Sequence, residues 1–293
     1  MRALVLSGGG VKGAYQVGVL CKWLYEDHRS YDIMCGVSVG ALNTSFLSQY
    51  KKGNEREAYN ALLALWNTID DSKIYKKWFL IRELAGIFKP SLYNSQPLMD
   101  LVRAYLDTDK IKNSGIKLRI GAVSLESGKY FLFDENHPKI VEGVIASSAF
   151  PTFLTPIEID GEIWTDGGVR TVTPIAAAIK AGATHIDVVM TSPADSTIGF
   201  KKKPNAIDIT MRVIDLMSDE IIANDIKLAS MVNRAIRKGA NLPDKKIITF
   251  NIIRPKNVLI KNSLDFNPEG IKRMMEIGYN DSGAFHWNKL KIY

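Results

Sequence analysis

"DIMCGVSVGALNTSF", Asp32 to Phe46, decides how the rest of the chain is read. A short apolar run, Ile33-Met34-Cys35, ends at Gly36-Val37-Ser38-Val39-Gly40, and small and apolar residues follow. The segment before the glycines is strand-like and the one after is helix-like, with a single hydroxyl between two glycines at the join. Gly and Ser are common turn residues, so the join is either a tight turn or a turn that holds Ser38 out as a nucleophile. Its surroundings must decide between them.

Upstream, "RALVL" at residues 2–6 is a short β-rich run that stops at Gly8-Gly9-Gly10. From Ala14 to Glu26, Val17, Leu20, Cys21 and Leu24 follow helical spacing. Strand, helix, strand and helix within fifty residues predict a parallel sheet with right-handed crossovers. Downstream, residues 55–111 read as mostly helical, including "IYKKWFLIRELAGIF" from Ile74 to Phe88. Strand-like "IKLRIGAVSL" and "KYFLFD" come next. "IEIDGEIW" places Asp160-Gly161 between alternating apolar runs, which predicts a hairpin ending at Thr165-Asp166-Gly167-Gly168. A short helix over 174–181, the strand "HIDVVMTS", a long helix over 205–239, the strand "KKIITFNII" and a helix from Pro268 complete the pattern. With no internal repeat and no low-complexity linker, residues 1–293 are expected to form one α/β domain that contains the 55–111 helical segment.

Apolar residues make up 46% of the 293 and charged ones 24%, an ordinary globular balance. The two cysteines, Cys21 and Cys35, sit inside apolar runs and read as buried thiols, which favours a reducing compartment. The N-terminal apolar run is too short for a signal peptide, and no run approaches the roughly 18 apolar residues needed to span a bilayer. The expectation is therefore a cytoplasmic protein, at most peripheral on membranes. Lys and Arg exceed Asp and Glu by 38 to 31. That surplus of +7 fits an anionic surface or plain solubility, while the scatter of the basic residues argues against nucleic acid. Ile74 to Phe88 suits either an interfacial helix lying on lipid or a core helix with snorkelling lysines.

The glycine cluster has a rival reading. Gly8-Gly9-Gly10-Val11-Lys12-Gly13 fits G-x-G-x-x-G after a strand, and Asp32 follows at about the offset of a ribose-binding acid. In a dinucleotide-binding fold, however, that acid ends the second strand, whereas Asp32 opens it and Ser38 stands at its carboxyl end. Taken together, the two loops belong on one sheet edge, each ahead of a helix whose first amides are unpaired and partly positive. A glycine loop can aim several N–H groups at a developing oxyanion beside a serine. Gly36 and Gly40 permit the strained turn and close packing that expose the hydroxyl.

A base is also needed, and the chain has only four histidines. His28 ends the first helix, His137 sits in a loop and His185 opens a strand at the opposite edge. His286 has the chain order of an α/β-hydrolase triad, but "GAFHWNKL" reads as a helix rather than a loop. Asp166, after a β-rich run and before Gly167-Gly168, is the better candidate, because desolvation beside Ser38 would raise its proton affinity. An ordinary Asp-Gly turn is the alternative.

In combination these residues resemble the patatin-like phospholipase family over most of the chain. "SGGGVKGAYQVGVL" is similar to its glycine-rich block, "GVSVGALN" to its nucleophile elbow and "WTDGGV" to its aspartate block, in the family's order. "ASSAFPTFLTP" and "SLYNSQPL" add to the likeness. The resemblance implies a three-layer α/β/α fold with a mostly parallel central sheet, and a Ser38–Asp166 dyad without histidine or metal. It implies an oxyanion hole from Gly8, Gly9 and Gly10 ordered by Lys12, no cofactor, and phospholipid or other acyl-ester substrates; the positive charge balance adds an anionic membrane surface as an expected peripheral partner. One departure stands out. Many members carry asparagines after the aspartate block, where this chain has Arg170-Thr171-Val172-Thr173.

Overall fold

The computed structural model describes residues 1–78, 89–194, 206–240 and 246–283. Among these residues eight strands form one mixed sheet: β1 Arg2–Leu6, β2 Ile33–Gly36, β3 Lys117–Ser124, β4 Tyr130–Asp134, β5 Ile157–Ile159, β6 Glu162–Asp166, β7 His185–Val189 and β8 Thr249–Ile253. The helices are α1 Gly13–Leu20, α2 Val39–Leu47, α3 Glu55–Trp66, α4 Asp71–Ile74, α5 Gln96–Tyr105, α6 Thr108–Asn113, α7 Ile140–Ser147, α8 Ile175–Lys180, α9 Ala206–Arg237 and α10 Pro268–Gly283.

The strands β3-β2-β1-β7-β8 are parallel, and helices cover both of their faces. Because side chains alternate along a strand, Leu4 and Leu6 of β1 enter one core while Ala3 and Val5 enter the other. The larger core takes in α1, α2, α3, α5 and α7, and the smaller takes in α8. Burial on both sides explains why β1 and β2 read as unbroken apolar runs rather than alternating ones. The result is the expected α/β/α layering. Asp160 and Gly161 both take positive φ, 54° and 83°, so the Asp-Gly hairpin between β5 and β6 forms as its sequence predicts.

The strand β3 positions the site. Its residue Ile120 pairs with Phe133 of β4 on one edge and with Gly36 of β2 on the other. Ala122 pairs with Phe131 of β4 and, across the second edge, with Asp166 of β6. The strands β2 and β6 therefore share one edge of β3, and β6 begins where β2 leaves off. Asp166 lies two residues, about 6.6 Å of strand, beyond the level of Gly36. That is where the chain leaving Gly36 reaches Ser38.

Three expectations need amendment. Of the helix expected over 74–88, residues 79–88 lie outside the described ones, and Tyr75–Trp78 is not helical. Tyr75 is extended, Lys76 pairs with Asn94, and the Tyr75 and Tyr93 rings meet at a tilt of 34° with centroids 4.5 Å apart. Strand pairing and ring contact outweigh helical spacing there. The helix after β1 ends as α at Leu20 and continues to Glu26 with π-type bonding, leaving Cys21 half-buried while Cys35 is fully buried. The helix α7 interrupts a stretch for which the spacing gave no element.

Candidate active site

Ser38 is the N-cap residue of α2, at φ 57°, ψ −128°. A non-glycine residue in this region carries about 1–3 kcal/mol of strain, which the surroundings must hold in place. They do so by contact. A Cβ on Gly36 would run into the carbonyl of Gly40, and one on Gly40 would run into the carbonyl of Leu6. Only glycine lets α2 descend this steeply onto β1 and β2. The Ser38 N–H donates to Ser147 Oγ at 3.0 Å, and the Ser38 carbonyl accepts from Ala41 and Leu42. The turn is thus anchored from α7 as well as from its own helix.

Asp166 ends β6 and is 2% exposed. Its N–H donates to the Ala149 carbonyl at 3.1 Å, and its Oδ1 accepts the Gly168 N–H at 2.7 Å. Burial pushes the carboxyl up to about 7, against smaller lowering effects from the Gly168 N–H and from the Ser38 side chain beside it. A carboxyl in that condition can hold and release a proton near neutral pH.

The glycine loop is set by its carbonyls. In a planar trans peptide, the C=O of one residue and the N–H of the next point opposite ways. The Ser7 carbonyl accepts from Gln16 Nε2 at 2.7 Å, and the Gly8 N–H accordingly turns to the Val172 carbonyl at 3.0 Å. The Gly8 carbonyl accepts from Thr191 Oγ1 at 2.6 Å, which turns the Gly9 N–H away from Thr191. The Gly9 carbonyl accepts from the Lys12 N–H at 3.2 Å, which turns the Gly10 N–H out of the 3-10 turn Gly10–Lys12. Gly9 and Gly10 adopt φ 152° and 58°, and a Cβ there would strike Thr191 and the Ser263 carbonyl respectively. Among the described residues, the amides of Gly9, Gly10 and Val39 have no hydrogen-bond partner, whereas that of Gly8 has one.

Ser38, Val39, Asp166 and the glycine loop line one cavity of about 290 Å³, at the lower end of small-molecule pockets. Gly8, Gly9, Gly10, Lys12, Ser38 and Asp166 line one end, and the remaining wall is chiefly apolar, with Leu42, Phe46, Leu62, Trp66, Leu98 and Val102 from α2, α3 and α5. A buried polar chain runs behind it. Trp66 Nε1 donates to Asn43 Oδ1 at 2.8 Å, Asn43 Nδ2 to Gln16 Oε1 at 2.9 Å, and Gln16 in turn holds the Ser7 carbonyl.

The structure thus brings together Ser38, Asp166, the three glycines and Lys12. Asp32 lies at the other end of β2, where it accepts from the Arg2 N–H and pairs with Lys52. His28, His137 and His185 do not line the cavity; His137 packs against Phe131 and Phe133. His286 lies outside the described residues. Sequence reasoning did not single out Val39, Ser147, Thr191, Gln16 or Asn43. For Val39 the signal was present, since the amide after an elbow serine is a customary oxyanion donor. Buried Gln16 and Asn43 could have been suspected as polar residues within otherwise apolar helices.

A mixed α/β sheet flanked by helices carries a strained serine at a strand-to-helix turn, a buried aspartate and a glycine loop on the wall of one apolar cavity. The family model for patatin-like phospholipases matches residues 4–179, and the chain belongs to that family. It is 24% identical over 179 residues to a cGAMP-activated phospholipase of Escherichia coli strain TW11681, covering 53% of this chain and 48% of that one. It is 23% identical over 255 residues to the uncharacterized protein YjjU of Escherichia coli K12, covering 87% and 68%. Among solved structures it is similar to VipD from Legionella pneumophila, with 12% identity, a TM-score of 0.44, and coverage of 96% of this chain and 66% of that one. The chain spans about half the length of the first of these relatives.

Proposed function

We propose that the protein hydrolyses carboxylic esters of lipids, with Ser38 as nucleophile and Asp166 as its general base. The observation that carries this reading is the buried Asp166 carboxyl, held up to about 7 beside a strained serine at the end of an apolar cavity. An acyl chain suits that wall, and the ester carbonyl then falls near Ser38.

Asp166 takes the Ser38 proton as Oγ bonds to the carbonyl carbon, and the carbonyl π electrons move onto oxygen. The Gly9 and Gly10 amides, with that of Val39, hold the resulting oxyanion; the Gly8 amide is engaged with Val172, so its part is to shape the loop. Collapse breaks the bond to the alcohol, which departs with the proton from Asp166 and leaves acyl-Ser38. Asp166 then takes a proton from water as that water attacks the acyl carbon, and on collapse returns the proton to Ser38 Oγ, which releases the fatty acid and restores both groups. Lys12 contributes through its backbone N–H, which closes the turn on the Gly9 carbonyl.

Phospholipids and shorter esters are the substrates to test. Folded Ser38→Ala and Asp166→Asn proteins should each lose nearly all fatty-acid release from mixed micelles of phosphatidylcholine and detergent. Unchanged release by either variant overturns its assigned role.

A further inference from the structure

The helix α9 presents two unlike faces. On one, Ile226 packs against the smaller core, and Asn233 both donates to the Ile248 carbonyl at 2.6 Å and accepts from the Ile248 N–H at 2.8 Å. On the other, Ile209, Val213, Leu216, Met217, Leu228 and Met231 are between 47% and 64% exposed. At 3.6 residues per turn these six side chains and Ile221 fall within an arc of roughly 140° over about 33 Å, a stripe interrupted near its middle by the exposed, hydrogen-bonded pair Glu220 and Asn224. A stripe of that extent on a soluble surface marks an interaction site.

The occupant follows from where the stripe leads and from its charge. Met217 and Ile221 also line the cavity that holds Ser38, as does the exposed Val169 of the turn directly after Asp166. The apolar surface around Met217 and Ile221 therefore runs from the outside of α9 to the ester-binding end. In sequence the acids of α9 end at Asp225, and Lys227, Arg234, Arg237 and Lys238 follow, all four exposed. The half of the stripe bearing Leu228 and Met231 is thus flanked by cations. We propose that the exposed face of α9 rests on an anionic lipid bilayer, with its basic end on the headgroups and the cavity mouth toward the acyl layer. No helix among the described residues is long and apolar enough to cross a membrane, so this is docking in the interface plane. The proposal rests on the lipid-hydrolase reading for what enters the cavity, but not for what the surface binds.

The test measures partitioning onto vesicles of phosphatidylcholine alone and of phosphatidylcholine with phosphatidylglycerol, for the parent and for Ser38→Ala. Leu228→Ser combined with Met231→Ser should weaken binding to both by about tenfold or more. Arg234→Gln with Arg237→Gln should weaken binding only to the anionic vesicles, by roughly fivefold for each charge removed. Turnover of soluble p-nitrophenyl butyrate should stay within twofold of the parent in both double variants, because neither pair lines the cavity. Ile209→Ser with Val213→Ser repeats the apolar test at the other end of the stripe, should the first variant not fold. Equal partitioning of parent and apolar variants overturns the proposal. A parent dimer that these substitutions turn into monomers, without loss of vesicle binding, assigns the stripe to a second copy and overturns it too. Ser38→Ala protein that binds vesicles normally keeps this test independent of the hydrolase reading, which fails only if Ser38→Ala retains turnover.

Discussion

Replacing Asp166 with Asn should abolish activity and at the same time stabilise the protein, with a pH signature that identifies the cause. The folded carboxyl titrates near 7, raised by burial from an ordinary 3.8. Between those values the native state holds a proton that the unfolded chain has released, so stability falls as pH rises through this window. Below about pH 4 both states are protonated and the term vanishes; above about pH 7 it is complete, at about 4 kcal/mol of destabilisation. Asn removes the charge and keeps an amide oxygen for the Gly168 N–H now bound by Oδ1. Urea unfolding of parent and variant at pH 5 and pH 8 isolates the term, because every other titrating group cancels in the difference. The advantage of the Asn variant should grow by roughly 2–3 kcal/mol between those two pH values. A difference that is flat with pH, or that shrinks, refutes the raised carboxyl and with it the base assigned to Ser38.

The ester-hydrolysis rate of the parent should fall on the acid side with an apparent pKa near 7 in kcat/KM, since only ionised Asp166 accepts the proton. An acid limb near 4 contradicts this. Gly9→Ala forces a Cβ into Thr191 at φ 152° and should lower kcat by about 10²-fold with little change in KM; a rise in KM alone points to substrate positioning instead. Asp187→Asn perturbs a buried cluster in which Asp187 pairs with Arg2 and Arg29 and accepts from Tyr31 and Asn251. It should cost about 3–5 kcal/mol in urea unfolding while turnover per folded molecule stays unchanged, because the cluster lies toward the end of β7 remote from Ser38.

Much of the architecture was legible because its signals are local. The apolar runs of β1 and β2, the glycines at their carboxyl ends and the Asp160-Gly161 turn each act over a few residues. What stayed hidden depends on distant pairing. That β2 and β6 share one edge of β3, which delivers Asp166 to the level of Ser38, depends on two distant pairings, Gly36 with Ile120 and Ala122 with Asp166. The anchors of the strained backbone were equally silent, since Ser147 and Thr191 look like any buried hydroxyl until their partners are seen. The helix α7 escaped notice because "IVEGVIAS" is buried almost all round and shows no polar face to betray a 3.6-residue period. Tyr75 was misread for the opposite reason, its helical spacing being overridden by pairing of Lys76 with Asn94.

The central claim is that Ser38 is the nucleophile and Asp166 the group that activates it, and fluorophosphonate labelling followed by peptide mapping tests it most directly. The parent should carry one adduct, on the peptide containing Ser38. Asp166→Asn should label far more slowly at the same residue, and Ser38→Ala should not label at all. An adduct on another residue, or undiminished labelling of Ser38→Ala, contradicts the account.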